Sequence, residues 1–164
     1  MVKKDFKKTI LIIVTALILS IVIAYNVYIP SMKNVIFGNI YIAVPKDLEE
    51  YNCSEEDTKT NLLSHVTFNS DDNKIKIIYQ CYKTSEMTNV EKELTEENIA
   101  NIKRNMTREG SVDCETINDI EVLTDAHRKL LFFERNDNIY VVSVDTVSRL
   151  VSHIIADKII KSVE

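Results

Sequence analysis

Two glycines, two prolines, three cysteines, three histidines and no tryptophan are spread over 164 residues, and each shortage closes off a class of chemistry. Gly38 and Gly110 stand far apart, so no glycine-rich loop can wrap backbone N–H groups around a phosphate, and no G-x-S-x-G elbow can expose a serine nucleophile. His65, His127 and His153 occur at no ligand spacing such as H-x-x-x-H, and each reads as an ordinary surface or boundary residue. Cys53, Cys81 and Cys114 form no C-x-x-C pair. An odd number in a domain large enough to build its own core argues for small buried hydrophobes, with one disulfide plus one free thiol as the other option. Catalytic residues, cofactors and metal ligands are therefore not expected, and the chain does not read as an enzyme. The richness in Ile, Lys and Asn points to an AT-rich bacterial genome.

Charge is missing from one long stretch. Thr9–Tyr28, TILIIVTALILSIVIAYNVY, holds no charged residue, and a helix of roughly 20 residues, rising about 1.5 Å per residue, spans the ~30 Å hydrocarbon core of a bilayer. Ile10, Leu11, Ile12, Ile13, Leu17, Ile18, Leu19, Ile21 and Ile23 form its apolar body. Tyr25 and Tyr28 suit the outer interface, and Pro30 stops the helix. Lys3, Lys4, Lys7 and Lys8 precede the run, and the excess of positive charge on that side places the N-terminus in the cytoplasm. The same order of features fits a secretory signal peptide cleaved near Ala24. The length of the apolar run favours an uncleaved anchor, because it exceeds the usual h-region of about 7 to 15 residues. No cysteine follows the run closely enough to accept a lipid, and no pilin-type glycine–glutamate junction precedes it.

The expected organisation is a basic cytoplasmic tail (1–8), a signal-anchor helix (9–29), a juxtamembrane linker (30–38) and an extracytoplasmic α+β domain (39–164). From Asn34 onward 24 acidic residues face 15 basic ones, a net charge of about −9. That sign repels nucleic acid and anionic lipid. The acidic stretch Lys46–Asn61 lacks the alternating ligands and turn glycine of a calcium loop and reads as a helical turn followed by a surface loop.

Alternation predicts a first strand over Asn39–Val44 and a hairpin of Leu62–Asn69 with Lys74–Tyr82 around Ser70-Asp71-Asp72-Asn73. In Lys74–Tyr82 the residues Ile75, Ile77, Tyr79 and Cys81 share one face. Thr88-Asn89-Val90-Glu91 is a capping box opening a helix over Asn89–Thr107, with Leu94, Ile99, Ile102 and Met106 as its apolar stripe. A meander follows over Val112–Ile117, Ile120–Leu123, His127–Arg135 and Ile139–Val144, turning at Asn118-Asp119, Thr124-Asp125 and Asn136-Asp137-Asn138. The last segment is a helix capped by Asp145 or Thr146, its stripe running through Val147, Leu150, Val151, Ile154, Ile155, Ile159, Ile160 and Val163. The fold class is α+β: a transmembrane helix, then an antiparallel sheet with helices packed on it.

YIAVPKDLEEY, KIKIIYQCY, the segment INDIEVLTDAHRKLLFFERNDNIYVVSV and the ending ADKIIKSVE together resemble the Mog1/PsbP-like α/β/α sandwich and its bacterial extracytoplasmic relatives. Those relatives carry a glycine where this chain has Asp119 and an aromatic residue where it has Val163. The resemblance implies a fold used for binding and accessory roles and brings no catalytic residues. Tyr41, Tyr82 and Tyr140 are the residues expected to offer a docking surface, if helices leave them uncovered. The functional expectation is a membrane-anchored interaction module with a protein partner in the cell envelope. A module holding a small ligand or a cation at the acidic loop is the alternative.

Overall fold

The computed structural model describes residues 8, 10–20, 31–51, 62–70, 72, 74–108 and 112–163, in a chain that divides into two compact units, Met1–Pro30 and Ser31–Glu164. In the first unit residues 10–20 are helical, with apolar side chains exposed all around. Thr15 Oγ1 donates to the Leu11 carbonyl at 2.8 Å and Ser20 Oγ to the Leu17 carbonyl at 2.9 Å, so the two hydroxyls within residues 10–20 are satisfied by the helix itself. Among the described residues no helix is long and apolar enough to cross a membrane. Residues 10–20 make about half of the roughly 20 that a span needs. The remainder of the expected anchor, with Ile21, Ile23, Tyr25 and Tyr28, lies outside the described residues, as do Lys3, Lys4 and Lys7.

The second unit is α+β, as the alternation predicts. Strands β1 (Met32–Phe37) and β2 (Ile40–Pro45) form a two-stranded antiparallel hairpin. The remaining strands are β3 (Glu49–Tyr51), β4 (Leu63–Asn69), β5 (Ile75–Tyr82), β6 (Asp113–Ile117), β7 (Ile120–Thr124), β8 (Arg128–Arg135) and β9 (Asn138–Thr146). They build one antiparallel sheet in the order β3-β4-β5-β9-β8-β7-β6. Helix α1 (Asn89–Arg108) connects β5 to the far edge strand β6, and α2 (Arg149–Ser162) follows β9.

Parity along the strands sorts side chains onto two faces. Leu131 and Phe133 of β8 join Ile77, Tyr79, Val142, Ile155 and Ile159 in the larger core, under α2 and the hairpin. Leu130 and Phe132 point the other way and meet Ile99 and Met106 of α1. The adjacent phenylalanines thus serve opposite sides of the sheet, as the two-residue period requires.

The hairpin lies on the larger core through its backbone. Ala43 donates its N–H to Ser162 Oγ at 2.9 Å and accepts the Tyr79 hydroxyl at 2.7 Å. Phe37 packs against the rings of Tyr79 and Tyr140, with centroids 6.0 and 6.4 Å away. The turn needs Gly38, whose φ is +59°, and a Cβ there would sit 2.8 Å from the Tyr140 hydroxyl. Asn118-Asp119 and Asn136-Asp137 are all left-handed, the geometry of type I′ turns, which suits hairpin twist.

Five sequence expectations are corrected. Asn34–Gly38 is not a linker but most of β1 and its turn, because Val35 and Phe37 pack on the core. Glu49–Tyr51 is a strand paired with β4 rather than part of a helical turn, and residues 52–61 lie outside the described residues. On α1 the stripe is Thr95, Ile99 and Met106, with Ile102 half-buried, while Leu94 is rotated into solvent. Helix α2 begins only after Ser148: β9 keeps pairing with β5 as far as Thr146, which leaves Val147 and Leu150 exposed. Tyr140, a docking candidate only if left uncovered, is 1% exposed under the hairpin. The capping box forms as expected, with Thr88 N–H on Glu91 Oε2 at 2.7 Å.

Two substitutions test the turns. Gly38→Ala is expected to lower stability by about 2 kcal/mol, from left-handed strain plus the clash with Tyr140. Asp119→Gly is expected to raise it by about 0.5 kcal/mol by relieving the same strain where there is room. Urea unfolding of the full chain in neutral detergent, followed by tyrosine fluorescence, measures both.

Candidate functional site

The three tyrosines expected to make a docking surface do not come together. Tyr41 stands on the outer face of β2, 63% exposed, directly opposite Ile36 on β1, itself 70% exposed. Tyr82 is half-buried against the α1-side core. Tyr140 stacks on Phe133 at 5.2 Å and accepts the Asn39 N–H at 3.3 Å. His127 and His153 are exposed and His65 is half-buried, where burial first and Lys76 second lower its pKa. Cys81 is buried and Cys114 exposed, both as free thiols; Cys53 lies outside the described residues. Among the described residues no group of His, Cys, Asp and Glu is placed to hold a metal ion.

A candidate site lies where strand register and the start of α2 converge. Asp113, Thr124 and Lys129 are direct cross-strand neighbours on β6, β7 and β8. Glu115, two residues along β6, points to the same face by the strand period. Arg149, Leu150 and His153 of α2 line the facing wall, closing a cleft of about 670 Å³. Arg149 Nη2 pairs with Asp113 Oδ2 at 3.0 Å on the rim. Leu150, 68% exposed, supplies an apolar wall.

Lys129 is the unusual member. The residue is 4% exposed, yet its Nζ is 3.9 Å from the nearest Glu115 oxygen, beyond hydrogen-bond length. Burial pushes its pKa below the usual lysine range and Arg149 pushes the same way, while Glu115 and Asp113 pull it back up. Sequence reasoning missed this residue because HRKLLFFER looks like a charged strand end. The signal was parity: Lys129 shares its face with Leu131 and Phe133.

On the opposite face a second cleft of about 570 Å³ lies between α1 and the sheet. There Lys103 pairs with Glu121 and holds its Nζ 4.6 Å above the Phe132 ring, so the cation is already engaged. No protein-family model matches the chain, and no curated protein is similar to it in sequence.

Lys129→Met is expected to stabilise the protein by about 1 kcal/mol at pH 7, since an apolar side chain of similar length avoids the cost of a buried charge. The folded pKa of Lys129 is below the unfolded one, so the unfolded chain holds the proton more tightly and wild-type stability climbs as pH rises from the folded pKa toward about 10.4. The advantage of the methionine variant therefore shrinks over that window. Urea midpoints of both proteins between pH 7 and 10 check the sign.

Proposed function

We propose that this chain is a membrane-anchored, extracytoplasmic interaction module without catalytic activity, a single-pass protein presenting a small acidic α+β domain to a protein partner in the cell envelope. The helix at residues 10–20 carries this reading. It is apolar on every side, and its two hydroxyls are bonded to its own carbonyls, which leaves it suited to hydrocarbon and costly in water. The lysines ahead of it orient the segment with the domain outside the cytoplasm. The α+β architecture agrees with the Mog1/PsbP-like resemblance, and kinship with that group is part of the proposal. The Ile36–Tyr41 pair is the docking element: two large apolar side chains directly opposed and exposed on a hairpin, in a domain of net charge about −9.

Thiol labelling tests the topology. In a Cys53→Ser background, an impermeant maleimide applied to intact cells is expected to label Cys114 in the native domain and Cys81 only after denaturation, because Cys81 is buried. Labelling confined to the cytoplasmic side refutes the orientation. For docking, a photo-crosslinker at Tyr41 is expected to capture an envelope protein, whereas one at the exposed Glu97 is not. Ile36→Asp should abolish the adduct while changing stability by no more than about 0.5 kcal/mol, as exposed substitutions do. Equal capture from both positions, or none from either, counts against the docking element.

A further inference from the structure

We propose that the cleft between β6, β8 and α2 binds a small organic carboxylate, with the carboxylate on Lys129 Nζ and the apolar body against Leu150. The inference stands independently of the anchor and of docking through the hairpin. Its first support is geometric: the cleft, about 670 Å³, falls within the range of small-molecule sites, roughly 300–1,000 Å³. The second is an unmet bonding capacity. A lysine ammonium offers three donors, and among the described residues none accepts a hydrogen bond from Lys129, whose closest carboxylate oxygen is 3.9 Å away. The side chain is 5% exposed and lines the cleft, so a ligand carboxylate entering there would replace solvent at Nζ. A carboxylate oxygen reaching about 2.8 Å from Nζ supplies the missing charge-assisted bond.

The charges around the cleft select the class of ligand. Lys129 and Arg149 face Asp113 and Glu115, so the walls are close to neutral, and a monoanion meets less repulsion there than a dianion such as phosphate. Leu150, exposed at the wall, gives an aliphatic tail somewhere to go. The lowered affinity of Lys129 for its proton, caused first by burial, agrees with an ammonium whose nearest carboxylate oxygen is 3.9 Å away.

Titration of the isotope-labelled full chain in neutral detergent, followed by amide chemical shifts, tests the site with acetate, butyrate, phosphate and chloride at equal ionic strength. Butyrate is expected to give saturable shifts at Lys129, Leu150 and His153, binding about tenfold more tightly than acetate, the effect of two buried methylenes. Lys129→Met should weaken butyrate at least tenfold while remaining folded by its urea midpoint. Glu115→Gln, which removes the competing carboxylate, should bind at least as tightly as wild type. Absence of saturation by about 50 mM butyrate, equal shifts with chloride, tighter binding of phosphate than of butyrate, or undiminished binding by Lys129→Met would each overturn the proposal. So would a loss in Glu115→Gln as large as that in Lys129→Met.

Discussion

Ala43 is the point on which the outer domain turns. Its strand, β2, has a ladder partner on one side only, yet the residue is buried, and an unpaired peptide group away from water costs about as much as a lost hydrogen bond. The Tyr79 hydroxyl takes the carbonyl and Ser162 Oγ takes the N–H, so one residue joins the hairpin, the inner strand β5 and the last turn of α2. Ser162 in turn donates to Ile159 at 2.7 Å, which satisfies both roles of its hydroxyl. Apolar burial supplies most of the driving force for such a core, but it does not set register. The directional bonds at Ala43 do, by allowing the hairpin a single position along the sheet.

This arrangement explains the difference between the two faces. The α2 side is closed by a helix and a hairpin that share bonded residues, and its aromatic rings Phe37, Phe68, Tyr79, Phe133 and Tyr140 make a connected set of contacts. The α1 side has a smaller core, and Lys103 packs across Phe132 at its margin. A helix held by fewer buried side chains opens more readily than the rest of the fold, so α1 is the element from which local motion is expected to begin.

Much of the domain was legible in its residues. Two-residue alternation and Asn-Asp turns located the meander, because left-handed turn positions are few and Asn and Asp tolerate them. The capping box placed the start of α1 correctly for the same reason: it is a local bonding pattern. The failures were all non-local. Met32–Phe37 reads as a tether to the apolar run until it is seen beside β2, and the burial of Tyr140 depends on that hairpin. The start of α2 was misplaced because Thr146 can cap a helix or extend a strand, and pairing with Ile75 decided for the strand. Leu94 fits the apolar spacing, but the buried stripe is rotated by about one position, with Thr95 packed inward. Lys129 needed the register of three strands and the position of Arg149, none of which its neighbours in sequence reveal.

The strand that ends the sheet adds one more consequence. Among the described residues strand β6 is the outermost on its side, with mostly exposed residues and no ladder partner beyond it. Such an edge is a template on which another chain can grow. A second copy lying antiparallel and centred on Glu115 would place that carboxylate opposite itself, and like charges at facing positions disfavour pairing. Glu115, a wall of the cleft, thus sits where its charge opposes that pairing. Replacing Glu115 with a neutral residue would remove that obstacle from the edge.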